Sequence, residues 1–166
     1  MSIIDLLSRW IHVGTAIVLL GGASYIRFIL LPAASELPDE HHQRLRELTV
    51  ARWKRFVHIG IVLLLLTGFY NYFQASPAAE FKGRYHMLVG IKILVALLLF
   101  FVASALVGRS AAFERMRRNP KRSLGLLLLL GVVIVGISGY LRVAGTAALR
   151  AEIPASASVA SPETRE

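Results

Sequence analysis

The sequence contains no cysteine among its 166 residues. Disulfide bonds, thiolate metal sites, iron–sulfur clusters and cysteine nucleophiles are therefore excluded. Acidic residues are also scarce, with 10 Asp and Glu against 19 Lys and Arg, and the long apolar stretches hold no paired carboxylates of the kind that acid–base catalysis uses. No nucleotide-binding loop or catalytic triad stands out. Any metal site must depend on five histidines, the carboxylates and three methionines.

Apolar residues are abundant, at 55% of the chain, and the mean hydropathy is +0.60. Four apolar stretches, 10–31, 56–73, 85–107 and 123–141, are each close to the ~20 residues that an α-helix needs to cross the hydrocarbon core of a bilayer. The first stretch is too long, and too unlike a cleavage site at its end, to be a removed signal peptide. We therefore predict an all-α integral membrane four-helix bundle over residues 1–146. Residues 147–166 lack apolar periodicity and are predicted to form a mobile tail.

The net charge of +9 would suggest nucleic acid in a soluble protein, but in a membrane protein it marks cytoplasmic loops. Loops 32–55 and 109–122 carry eleven basic residues, against six on the opposite side. The positive-inside rule then places both termini outside the cytoplasm, in a membrane interpreted as the bacterial inner membrane. No nucleic-acid partner is expected. Pro38, Asp39 and Glu40 predict a helix N-terminus that leads into the second span.

Two histidines lie near the outer ends of spans, His12 in the first and His86 in the third, and are predicted to share one level. A histidine inside a membrane is costly unless it is paired, hydrogen-bonded or bound to a metal. Two neutral imidazoles on facing helices are what axial ligation of haem b requires, so both are predicted metal ligands. The alternative is that each imidazole meets water or phosphate at the headgroups. His58 is expected at the opposite surface, where it is too distant to join them.

Cations near the outer mouth suit haem propionates, and Arg9 and Arg142 are the first choices. Lys92 is predicted deeper, about 120° round its helix from His86. The alternative for these cations is an interfacial belt of basic and aromatic residues. Arg27, near the other surface, is interpreted as reaching for the inner headgroups. The remaining pair, His41 and His42, is assigned a surface role, because adjacent residues on a helix point in different directions.

Several short motifs resemble those of the CopD and HemJ membrane superfamily, over about residues 8 to 110. They are Arg9-Trp-Ile-His-Val13 with Gly21-Gly22, Arg55-Phe56 with Leu66-Thr-Gly68, and Gly83-Arg-Tyr-His-Met-Leu-Val-Gly-Ile-Lys92. Resemblance to HemJ proteins implies a haem b-containing protoporphyrinogen IX oxidase in which His12 and Lys92 match key positions. The histidine that those proteins carry two residues before the lysine is Gly90 here. Resemblance to CopD proteins implies copper uptake or resistance.

Three functions therefore stand side by side. The first is a haem b-binding redox or electron-transfer protein, with a redox partner or quinone as its partner and an oxidase activity as its extension. The second is copper transport or resistance, although Cu(I) favours sulfur ligands and only Met1, Met87 and Met116 supply sulfur. The third is a structural subunit of a larger complex. The lipid bilayer is a partner in all three, and a homo-oligomer is compatible with each. We favour haem binding.

Overall fold

The computed structural model describes residues 2–75, 82–108 and 110–159, and every regular element in those ranges is helical. The elements are α1 (Ile3–Tyr25), a π-helical turn (Ile26–Leu30), α2 (Leu31–Ala34), α3 (Asp39–Phe73), α4 (Lys82–Val107), a 3-10 turn (Ala111–Phe113), α5 (Glu114–Arg118) and α6 (Pro120–Val159).

Four helical segments are long and apolar enough to cross a bilayer, and they contain the four predicted spans. The segments are Ile3–Ala34, Asp39–Phe73, Lys82–Val107 and Pro120–Ala148. The prediction of an all-α four-helix membrane bundle is confirmed. Large apolar side chains such as Phe28, Leu94 and Val132 are exposed on the outside of the bundle, as lipid-facing residues are.

Helix α1 begins before its apolar stretch because its first turn is capped by polar groups. The Ser2 hydroxyl accepts a hydrogen bond from the Asp5 backbone N–H, and the Asp5 carboxylate accepts one from the Ser2 N–H at 2.7 Å. This capping box starts α1 two turns before the predicted span. The predicted helix N-terminus at Pro38 is confirmed, since α3 begins at Asp39 with two acidic residues in its first turn.

The π-helical turn precedes Pro32, which the sequence had placed at the start of a loop. A proline ring lacks an N–H group and collides with the carbonyl of the residue four positions earlier. The N–H of Leu31 bonds to the carbonyl of Ile26, five residues back, which widens the helix at this point. The helix therefore continues through the proline to Ala34 instead of ending at Leu31.

At the other end of the chain, α6 continues to Val159, beyond the predicted tail boundary at residue 146. Residues 147–152 are Ala, Leu, Arg and Glu, which all have high helix propensity, so a helix needs no apolar stripe to persist there. Residues 160–166 of the predicted tail lie outside the described residues. The mobility of the tail stays a prediction.

The helices approach each other closely at three glycines, each of which is in contact with a large side chain of a neighbouring helix. The Trp53 ring of α3 lies over Gly22 of α1, and Leu20 of α1 lies against Gly131 of α6. A Cβ atom built on Gly60 of α3 would lie 2.6 Å from Leu19 Cδ1. Small residues let membrane helices pack closely, so α1 is held between α3 and α6 at adjacent positions.

Candidate functional site

A cavity of about 330 Å³ runs between the helices, and we call it the interhelical cavity. Its wall is mostly apolar, with polar side chains concentrated at its two ends. The histidine end contains His12, Tyr72 and Lys92. The arginine end contains His42, Arg46, Thr49 and Arg117.

The hydrogen bonds of His12 define which of its ring nitrogens carries the proton. Thr67 Oγ1 lies 2.6 Å from the Leu63 carbonyl oxygen, which can only accept, so the Thr67 hydroxyl donates there. The oxygen then offers only lone pairs to His12 Nδ1, at 2.8 Å. His12 therefore donates from Nδ1, and its Nε2 keeps a lone pair. Histidines that bind a metal through Nε2 usually donate from Nδ1 to a neighbouring acceptor, and this hydrogen bond orients the ring.

His86 lies further out than His12, so the predicted common level is not found. His12 is level with Thr67 through its hydrogen bond, and the Nδ1 atom of His86 lies 3.2 Å from the hydroxyl oxygen of Tyr72. Tyr72 is five residues beyond Thr67 on α3, which corresponds to about 7.5 Å at 1.5 Å per residue. His86 is exposed and its ring packs edge-on against Tyr72 and Tyr85.

Lys92 lies near the level of His12. It is six residues inward from His86 on α4, or about 9 Å along the helix. Its side chain is half-buried and lines the same cavity as His12. The structure therefore brings together His12 and Lys92, the two positions that the resemblance to HemJ proteins singles out.

The other candidate cations lie outside the cavity wall. Arg9 and Arg142 are exposed, a position that also suits an interfacial belt. Arg27 is half-buried on the π-helical turn, with its guanidinium carbon 5.4 Å from the centre of the Phe28 ring. His58 is exposed. Its Nδ1 donates a hydrogen bond to the Lys54 carbonyl oxygen at 2.7 Å.

The arginine end was missed by the sequence analysis. The Nδ1 atom of His42 donates to the Ala34 carbonyl oxygen at 2.7 Å and the residue is half-buried, so the assigned surface role is wrong for His42, while His41 is exposed. Arg46 Nη2 donates to the Arg117 carbonyl oxygen at 2.6 Å. A signal existed in the spacing of the α3 residues that line the cavity, which repeat every three or four positions as one helix face does: His42, Leu45, Arg46, Thr49, Val50, Trp53, Val57, Ile61, Leu64, Leu65 and Gly68.

A second polar cluster fastens the outer ends of α1 and α3. The Tyr70 hydroxyl donates to Asp5 Oδ1 at 2.9 Å, and the Gln74 amide lies 3.4 Å from the same oxygen. Asp5 is therefore occupied by the helix cap and by these two neighbours. The cluster is a structural fastening above the histidine end of the cavity.

Among the described residues, no three His, Asp or Glu side chains are close enough to hold one metal ion. A site built around a single imidazole, with the remaining coordination supplied by a bound group, is compatible with that arrangement. Comparisons with known protein families, with curated proteins and with solved structures found no match.

Proposed function

We propose that this membrane protein binds haem b at the histidine end of the interhelical cavity, with His12 as an axial ligand, and that it takes part in electron transfer. The observation that carries the proposal is the hydrogen bond between His12 and Thr67. It makes Nδ1 the donor, so that in the neutral imidazole the lone pair lies on Nε2, in a residue on the wall of an apolar cavity. A neutral imidazole in apolar surroundings is an established haem ligand.

The rest of the cavity wall fits a flat, apolar macrocycle. Ala16, Leu19, Ile93 and Ala96 line the cavity together with His12, and two of the four side chains are small. When bound, haem supplies one-electron redox chemistry, while the chain orients the imidazole through Thr67 and excludes water with apolar side chains.

Lys92 is the residue that would hold the haem together with His12, because its side chain lines the same cavity. His86 would have to leave Tyr72 and move inward by about 7.5 Å along the bundle, by the same helical rise. Copper has less support, because Met87, the methionine closest in sequence to His86, is exposed and lies outside the cavity wall.

The test is the visible spectrum of the purified protein after expression with abundant haem. We expect a Soret band in the wild type and a loss of most bound haem in His12→Ala, since removal of an axial imidazole leaves the iron without its protein ligand. His58→Ala is the matched control, because His58 is exposed and outside the cavity. A colourless wild type, or an unchanged band in His12→Ala, would contradict the proposal.

A second pair of variants identifies the other ligand. Lys92→Ala should shift the Soret band and the spin state of the iron, and His86→Ala should leave both close to those of the wild type. The reverse result would restore the pairing of His12 with His86 that the sequence predicted.

A further inference from the structure

We propose that the arginine end of the interhelical cavity binds the phosphate of an anionic phospholipid, whose acyl chain lies along the apolar wall. This site shares the interhelical cavity with the haem proposal, but it lies at the opposite end and involves none of the same polar side chains.

Two arginines line this end of the cavity without an acidic partner among the described residues. Arg46 comes from α3 and Arg117 from α5, and the hydrogen bond from Arg46 Nη2 to the Arg117 carbonyl oxygen places them at one rim. Among the described residues, the ion pairs are Arg44 with Glu47 and Arg118 with Glu114, and neither involves these two arginines. Two cationic side chains that line the same end of a cavity attract an anion.

Arg117 has an unmet hydrogen-bonding group at this rim. Its Nη1 atom is buried and bonds to nothing in the described part of the chain. A buried donor without a partner is unfavourable, and a phosphate oxygen can satisfy it. Arginine is also the side chain whose planar fork matches the oxygens of a phosphate.

The cavity wall behind the rim favours a lipid over a free anion. Leu45, Val50, Trp53 and Leu124 continue from the arginines into the bundle. An inorganic anion would leave this apolar surface unused, whereas an acyl chain would cover it. Because His42 donates from Nδ1 to Ala34, its Nε2 can accept a hydrogen bond from a headgroup hydroxyl. These features together point to phosphatidylglycerol, which combines one phosphate, free hydroxyls and acyl chains.

The test is competition between two lipids in native mass spectrometry of the full chain in mild detergent. Phosphatidylglycerol and phosphatidylcholine with identical acyl chains are added at equal concentration. We expect the wild type to retain phosphatidylglycerol in preference by about tenfold, from two cations near the phosphate. R46Q/R117Q should bring the two lipids close to parity. R44Q/R115Q is the matched control, because it removes the same charge from exposed arginines outside the cavity wall, and it should keep the preference.

Arg46 is exposed, so the single variant R46Q tests the proposal if the double variant does not fold. R46Q should lose a large part of the preference. Equal retention of both lipids by the wild type, or an equal loss of preference in R44Q/R115Q, would overturn the proposal. Displacement of phosphatidylglycerol by millimolar inorganic phosphate would also overturn it, by showing an anion site without a place for the acyl chain. The His12→Ala protein should keep the lipid preference, which separates this proposal from the haem proposal.

Discussion

At the scale of single residues, the threonine behind His12 matters as much as the histidine itself. The Thr67 hydroxyl uses its only proton on the Leu63 carbonyl, so it can only accept from the imidazole. The same oxygen thereby selects the tautomer and fixes the ring. A ligand held in one tautomer and one orientation binds metal more tightly than a ring that rotates freely.

Thr67→Val removes this acceptor with almost no change of side-chain volume. We expect haem content at limiting haem to fall, on the order of tenfold, because loss of a ring-orienting partner weakens metal binding by about that factor. Haem titration followed at the Soret band measures the effect. Thr49→Val changes a half-buried threonine at the other end of the same cavity and should bind haem as the wild type does. Equal affinities for all three proteins would contradict the role assigned to Thr67.

The sequence identified His12 and Lys92 but misjudged the depth of His12. Counting from Trp10, the start of the apolar stretch, put His12 just inside its helix. The capping box moves that start to Ile3, so His12 lies nine residues into α1. Hydropathy does not register helix caps, and no single-helix pattern reveals which neighbour a side chain meets.

At the scale of helices, the sequence predicted the four spans well because each depends only on its own length and apolarity. The contacts between spans depend on which glycine faces which side chain, and this is a property of two helices together. Gly21 and Gly22 are adjacent, yet a Cβ atom on Gly21 would meet nothing within 4 Å while one on Gly22 would strike the Trp53 ring.

Substitution of alanine at Gly21 and at Gly22 should therefore change the free energy of unfolding in opposite directions. Gly21→Ala should raise the free energy of unfolding by about 0.5–1 kcal/mol, because alanine loses less backbone entropy in a helix. Gly22→Ala should lower it by about 1–3 kcal/mol, because the added methyl group displaces a tightly packed ring. Thermal unfolding of the two variants in the same detergent measures both. A rise in Tm for Gly22→Ala would show that Trp53 does not depend on this close approach.

At the scale of the whole molecule, the basic loops give the bundle two unlike ends. The segments between the first and second spans and between the third and fourth carry eleven of the nineteen cations, including both arginines of the arginine end. If the positive-inside rule holds, that end faces the cytoplasm and the histidine end faces outward. The orientation is a prediction, and it decides from which side the proposed redox partner and the proposed lipid would reach the cavity.

Reporter fusions determine this orientation directly. A fusion after Arg118 should be active only as a cytoplasmic reporter, and a fusion after Arg150 only as an external one. The two positions lie on either side of the predicted span 123–141, so the same result also requires that this part of α6 crosses the membrane. An exchange of the two signals would invert the molecule, and two signals on the same side would remove the fourth crossing.

The contact between Leu20 and Gly131 gives the bundle a particular order of biogenesis. Leu20 belongs to α1, and Gly131 belongs to α6, which the ribosome delivers after α1, α3 and α4. Domains that are made vectorially can complete only those contacts whose two halves have both been synthesised. The α1–α3 interface is therefore available early, whereas Leu20 stays against lipid until α6 enters the bilayer. A chain that stalls before α6 is translated therefore lacks the contact between Leu20 and Gly131, and α1 packs only against the helices already made.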